Sequence, residues 1–200
     1  MTTRVSPMRR PRERSDGAGN RSPVEVSAMS ARIRSAESRD VPEWLALAKE
    51  VEHLFGPMSE VPEFRAALDG AIASGHALAA VVSLDDGEEE LVGGIVFSPE
   101  GGSIEWLAVS ARTRGAGLGR ELLAAAIARL DPARPIRVQT FAPASAGGAA
   151  ARRLYAAFGF EDREDAEPTP AGVPTVIMVR PAPAGLRPTG GAKGGASGWS

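Results

Sequence analysis

IEWLAVSARTRGAGLGRELLAAAIARL, residues Ile104 to Leu130, is the stretch that decides the fold of this 200-residue chain. It opens as a short apolar run, Ile104 to Val109, and turns through Ser110-Ala111-Arg112-Thr113. Glycines follow at alternate positions, Gly115, Gly117 and Gly119. Leu118, Leu122, Leu123, Ala126, Ile127 and Leu130 then recur at helical spacing on one face. A strand, a glycine-rich turn and a helix together make a device for holding an anion. The first turn of a helix has amide N–H groups with no partner inside the helix, and the aligned peptide dipoles add partial positive charge there. Glycine lets a phosphate approach the backbone without meeting a Cβ. Three glycines at a helix entrance cost roughly 0.5–1 kcal/mol each relative to alanine, which argues against an idle turn. The stretch points to a ligand that carries phosphate.

Spacing narrows the ligand. A P-loop would need Lys-Ser or Lys-Thr after the glycines, and none follows. A dinucleotide fingerprint counted from Gly115 would need glycine where Arg120 stands. What remains is Arg114-Gly115-Ala116-Gly117-Leu118-Gly119, or R-x-x-G-x-G, preceded by Leu107-Ala108-Val109. At these residues the chain resembles the GNAT superfamily of acetyl-CoA-dependent acetyltransferases. The resemblance implies that Arg114, Gly115, Ala116, Gly117, Leu118, Gly119 and Arg120 cradle the pyrophosphate of coenzyme A, largely through amides. It implies that Leu107, Ala108 and Val109 run beside the pantetheine arm. It implies a mixed, mostly antiparallel sheet of six to seven strands flanked by about four helices. Charge-assisted contacts from Arg114 and Arg120 would add to the phosphate grip.

A second motif stands downstream. Ala151 to Phe160, ARRLYAAFGF, is similar to the family's A-x-x-L-Y-x-x-x-G-F. The resemblance makes Tyr155, the single tyrosine of the chain, the group beside the coenzyme sulfur. The other reading of Tyr155 is an aromatic packed into the core with its hydroxyl satisfied by a neighbour. Relatives often carry asparagine seven residues before this tyrosine, where it contacts the coenzyme. Here Gly148 holds that place, so loop 142–148 would have to grip the pantetheine differently.

Working outward, Ile33-Arg34 reads as a first strand. Asp40 is placed to cap a helix, with Pro42 in its first turn and Glu43 closing a capping box. Val41, Trp44, Leu45, Ala48, Val51 and Phe55 share a face, and Gly56-Pro57 stops the helix. Pro62 to Ser74 repeats Phe64, Leu68 and Ile72 as a second helix. His76 to Leu84 and Leu91 to Ser98 read as a hairpin around an acidic turn. That turn has five carboxylates among the six residues Asp85 to Glu90 and is expected to be a solvated tip. After Leu130, Asp131-Pro132 breaks the central helix. Ile136 to Phe141 is a strand, 143–148 a loop, and 151–158 a short helix. Two last strands begin near Phe160 and Val173. The order is strand, two helices, three strands, helix, strand, helix, two strands. This is an α/β sheet, not a regular βαβ repeat, which speaks against a dinucleotide fold. The resemblance covers Ile33 to Val179, with the specific motifs confined to Leu107 to Phe160.

The ends differ in composition. Residues 1–31 carry six arginines against three acidic residues and no periodicity, and are expected to be a disordered, mildly basic tail. Residues 32–180 form the expected domain, and 181–200 a second tail rich in Pro, Gly and Ala. A net charge of −2 implies no overall basic surface for nucleic acid. The chain has no cysteine, which removes disulfides, thiolate metal sites and a cysteine nucleophile. With His53 and His76 alone, a histidine metal site is not expected. No apolar run reaches membrane-span length and none follows Arg9-Arg10, so the expected compartment is the cytoplasm, with no membrane partner.

The resemblance implies acetyl transfer from acetyl-CoA to an amine in a ternary complex. That chemistry needs a neutral amine, a fixed donor for the developing oxyanion and support for the departing thiolate. Glu105, on the strand entering the glycine turn, is the candidate base, against the alternative of a solvated strand-end charge. Alternation places Glu105, Leu107 and Val109 on one face and Ile104, Trp106 and Ala108 on the other. The resemblance implies an oxyanion donor from the backbone at the splayed end of the Ile104 to Val109 strand. Glu52 and Glu60, beside the entry side, read as surface charges that could recruit a cationic amine, and His53 as exposed. The acceptor, a small amine or a protein N-terminus or lysine, is open at this stage, and so is assembly, for which a homodimer is one outcome. The competing readings are a non-catalytic CoA-binding domain of the same fold and an unrelated nucleotide-binding module.

Overall fold

The computed structural model describes residues 31–185 except 85, 86 and 146. Most of the expected tail over 1–31, most of the one over 181–200 and the tip of the acidic turn therefore lie outside the described residues, while Ala31 opens the first strand. In chain order the elements are β1 (Ala31–Ser35), α1 (Val41–Phe55), α2 (Pro62–Ala73), β2 (Ala77–Ser83), β3 (Glu89–Ser98), β4 (Ser103–Val109), α3 (Leu118–Ile127), β5 (Ile136–Phe141), α4 (Ala149–Ala157), β6 (Glu161–Ala166) and β7 (Thr175–Arg180). The strands form one sheet in the order β1-β2-β3-β4-β5-β7-β6. Every pair is antiparallel except β4 and β5. The expected element order and sheet are both present.

The sheet separates two apolar layers. One gathers Leu118, Leu122, Leu123 and Ala126 of α3 with Tyr155 and Phe160 against Leu78, Ile95 and Val138. The other gathers Val41, Trp44, Leu47, Ala48 and Val51 of α1 with Phe64 and Leu68 of α2 against Val81, Val96 and Trp106. Trp44 and Trp106 lie with ring centroids 5.3 Å apart. Gly93 and Gly94 in the middle of β3 let both layers close in. A Cβ on Gly94 would lie 2.6 Å from the Trp44 ring, and one on Gly93 would lie 3.2 Å from Leu122 Cδ1.

Three local expectations are corrected. Asp40 does not cap α1, because Arg34 takes it. The guanidinium donates to both carboxylate oxygens at 2.7 Å, and the Glu37 amide donates to one of them. Burial alone would raise the Asp40 carboxyl, but these donors outweigh it and hold it below its ordinary value. Glu43 accepts instead from the Leu91 amide at 2.7 Å, tying α1 to β3. The acidic turn is shorter than its composition suggests. Glu89 and Glu90 are strand residues, paired with Arg32 and Arg34 and with Arg112 respectively. Finally, α3 ends at Ile127 rather than Leu130. The Asp131 carboxylate accepts from the Ala133 amide at 2.9 Å and stabilises the turn that follows.

Candidate active site

β4 and β5 are hydrogen-bonded neighbours only at Ser103↔Arg137 and Ile104↔Val138. Beyond those two pairs the strands part, so the middle of the sheet holds an unpaired edge along the rest of β4. Such an edge is a template for any extended amide-bearing group. The register between β3 and β4 also shifts here. Val96 faces Trp106 while Phe97 faces Ile104, which makes Glu105 the extra residue of a β-bulge. The bulge corrects the expected alternation. Ile104 belongs to the α3 layer, where Leu107 and Val109 also pack, while Trp106 and Ala108 belong to the α1–α2 layer. An unbroken strand would have put Ile104 with Trp106.

A cleft of about 990 Å³ occupies the gap between the strands and extends beneath α1 and α2. Glu105, Leu107, Ala108, Val109, Arg114, Gly115, Gly117, Leu118, Gly119, Arg120 and Tyr155 all line it, whereas Ala116 does not. Ala108 turns its side chain into the α1–α2 layer, so any contact from it to a ligand would be made by backbone. The Glu105 carboxylate accepts a hydrogen bond from Ser103 Oγ.

At the far end of β4 the chain turns into α3. Gly115 and Gly117 have φ of 88° and 85°, the left-handed region, while a Cβ on either would meet open space. Backbone conformation, not crowding, is what requires glycine at these two positions. Gly119 is different: a Cβ there would meet Leu154 and Val109 at ordinary contact distance. The amides of Gly115, Gly117, Leu118 and Gly119 have no partner among the described residues. The Leu118 side chain is 3 % exposed and sits in the α3 layer, so only its amide can serve a ligand. Its side-chain identity matters to the core, as its place on the apolar face of the helix implies. Arg114 and Arg120 are exposed and make no ion pair among the described residues, although Arg120 lies over the Phe158 ring at 5.3 Å.

Tyr155 reaches the cleft from α4. Its ring meets Phe160 edge-on at 5.5 Å and is 5 % exposed. Burial pushes its phenol well above the ordinary value. The hydroxyl has no hydrogen-bond partner among the described residues, yet it is not one of the sealed orphan atoms, which are the indole N–H groups of Trp44 and Trp106. Tyr155 is among the residues that line the cleft.

Sequence reasoning missed a seam of close contacts that walls the cleft. A Cβ on Gly148 would lie 2.2 Å from Phe141 Cβ, and one on Gly147 would lie 2.3 Å from Leu54 Cδ2. Gly56, at φ 95°, abuts Pro170. Phe55 and Phe141 stack at 4.9 Å, and Thr169 Oγ1 donates to the Leu54 carbonyl at 3.0 Å. The end of α1, the end of β5, the start of α4 and the β6–β7 loop are thus locked together. The Gly147-Gly148 pair was the visible signal. Its partners are far away in sequence.

Glu52, expected to be a free surface charge, organises the turn after α1. It accepts from the amides of Met58 and Ser59 and from Ser59 Oγ at 2.6–2.9 Å. Those donors, Ser59 first, pull its carboxyl down to about 2. Glu60 and His53 are exposed as expected.

Residues 39–160 match the Acetyltransferase (GNAT) family. The chain belongs to that family. Among solved structures, it is similar to a phosphinothricin acetyltransferase from Sinorhizobium meliloti in complex with AcCoA, at 22 % identity and a TM-score of 0.59, covering 82 % of this chain and 95 % of that one. It is also similar to a ribosomal-protein-alanine N-acetyltransferase from Brucella melitensis, at 24 % identity and a TM-score of 0.56, covering 75 % and 99 %. A third is the ribosomal-protein-S18-alanine N-acetyltransferase from Escherichia coli, at 20 % identity and a TM-score of 0.54, covering 79 % and 99 %. At these identities the likeness is one of GNAT fold. No curated protein matches the chain by sequence. Among the described residues no helix is long and apolar enough to cross a membrane, and no group of three or more His, Cys, Asp or Glu could hold a metal.

Proposed function

We propose that this GNAT protein is a cytoplasmic N-acetyltransferase that moves the acetyl group of acetyl-CoA directly to a primary amine. One observation carries the reading. The free amides at the start of α3, the open edge of β4 and the unpartnered Tyr155 hydroxyl line one cleft. On this reading the pyrophosphate meets the amides of Gly115, Gly117, Leu118 and Gly119 with Arg114 and Arg120 beside it, as helix dipole and charge favour. The pantetheine amides pair with the β4 edge at Leu107 to Val109. The thioester then falls near the bulge, where a displaced backbone N–H can serve the oxyanion.

The ammonium of the acceptor gives a proton to Glu105, directly or through water. The neutral nitrogen attacks the thioester carbonyl, a C–N bond forms, the C–S bond breaks, and the nitrogen loses a second proton. CoA leaves as thiolate and ends as thiol. A thiol of this kind has an ordinary pKa of about 8.5, below that of a free phenol. Burial raises the Tyr155 phenol further, so it keeps its proton and stabilises the thiolate as a hydrogen-bond donor. The nitrogen's second proton is then the one available to the thiol. Tyr155 thus acts as a hydrogen-bond donor and not as a general acid.

A hydrogen bond to a charged group contributes about 1.5–3 kcal/mol, so Tyr155→Phe should lower kcat roughly 10- to 100-fold. KM for acetyl-CoA should barely move. CoA thiol release with an amine panel reads both, and an unchanged kcat removes Tyr155 from the chemistry. Phe141 filling the place beside Gly148 favours a second reading, a CoA-binding domain without turnover. Acetyl-CoA binding by calorimetry with no thiol release across the panel would select it.

A further inference from the structure

We infer that the acceptor is a primary alkylamine or arylalkylamine that carries no acidic group, an inference that rests on the acetyltransferase reading above. Charge is distributed unequally along the cleft. The arginines among its described lining residues are Arg114 and Arg120, at the α3 end, and no lysine lines it. Its carboxylates are Glu63 and Glu105, at the other end. Glu105 lies near the start of β4, and Arg114 and Arg120 follow its end at Val109, with up to about 13 Å of strand between Glu105 and that end. The positive end suits a diphosphate and the negative end a cation.

The wall around the negative end is mostly apolar, with Ser74, His76 and Ser98 as its other polar side chains. Phe55 closes α1, Met58 and Val61 come from the α1–α2 connection, and Phe64 and Trp106 form its base, with ring centroids 6.2 Å apart. An acceptor with a carboxylate or phosphate would enter this pocket beside two carboxylates and without an arginine or lysine to pair it. Burying an unpaired anion there is costly. A heavily hydroxylated amine would lose water hydrogen bonds against aromatic walls for little return. A chain or ring of carbon bearing one ammonium matches both the wall and the charge.

The test uses the full chain, saturating acetyl-CoA and CoA thiol release. Hexylamine and 2-phenylethylamine are compared with phenylalanine, spermidine, an aminoglycoside and a short peptide with a free N-terminus. Phenylalanine differs from 2-phenylethylamine by one carboxylate, so that pair isolates charge. The expected result is kcat/KM at least 10-fold higher for 2-phenylethylamine than for phenylalanine, and higher for hexylamine than for spermidine. Glu63→Lys, an exposed position on α2, should narrow the first ratio at least 10-fold. Turnover that favours phenylalanine, spermidine, the aminoglycoside or the peptide overturns the inference and leaves the acetyltransferase reading standing. Acetyl-CoA binding with no thiol release for any amine removes both.

Discussion

Gly148 stands where relatives often carry asparagine, and the structure predicts that restoring asparagine harms the protein. A Cβ at 148 would lie 2.2 Å from Phe141 Cβ and 2.9 Å from its Cγ. Carbon atoms rest at roughly 3.5–4.0 Å, so the gap is short by more than about 1 Å. The clashing atom is a Cβ, which cannot swing away by a rotamer change. Either β5 or the start of α4 must move. Phe141 is 4 % exposed, stacked on Phe55 and held in register opposite Thr175, and α4 is pinned there by Arg152, which donates to the Phe141 carbonyl at 3.2 Å. Overpacking of this kind costs about 1–3 kcal/mol. In urea, with a slope of roughly 2 kcal/mol per M, Gly148→Asn should shift the unfolding midpoint down by about 0.5–1.5 M. Gly148→Ala should share most of the loss, because the Cβ causes it. In Phe141→Gly, which removes the clashing Cβ, the same substitution should cost far less, a non-additivity that separates this clash from a general dislike of asparagine. KM for acetyl-CoA should rise or stay, not fall. A Gly148→Asn protein that unfolds at the parent midpoint, or that binds acetyl-CoA more tightly, would refute the argument.

Other perturbations test the remaining parts of the site. Gly117→Ala places a Cβ at φ 85° and should cost about 1–2 kcal/mol in thermal or urea unfolding while raising KM for acetyl-CoA through the displaced amides. Leu118→Ala should cost about 2–5 kcal/mol of stability yet leave KM for acetyl-CoA unchanged at temperatures where it stays folded, since its amide remains. Glu52 has its carboxyl held down at about 2 against an ordinary value near 4.5. It therefore contributes stability that is complete above pH ~4.5 and is lost as pH falls from there toward 2. Glu52→Gln should remove that dependence, so parent and variant should converge in urea midpoint only as pH falls to about 2.

Some of this architecture could be read directly, for reasons internal to each segment. The β4–α3 unit announces itself because left-handed backbone at Gly115 and Gly117 all but requires glycine, and because α3 repeats its apolar positions every three to four residues. The 15 residues of α1 are equally legible, with Pro42 at one end and Gly56 at the other. Asp40 was misread because its capping geometry is local while Arg34, the partner that takes it, is brought by the β1 pairing. Glu89 and Glu90 look like loop residues until Arg32, Arg34 and Arg112 arrive from other elements to neutralise them.

The bulge at Glu105 is the most consequential of the hidden features. Side-chain alternation is a property of one strand, but a bulge is a property of a pair, and no residue of 103–109 marks it. Reading β4 alone gives the wrong face for Ile104. The same register slip occurs one residue after β4 loses β5. The two events answer each other. A strand that keeps strict register on one side has no reason to leave its neighbour on the other, whereas an extra residue bends β4 and opens the wedge in which the cleft forms. The glycine turn fixes where a diphosphate can rest, but the bulge fixes how far from it the sheet first opens. A variant that deleted one residue at 105 would therefore be expected to close the wedge rather than merely lose a carboxylate.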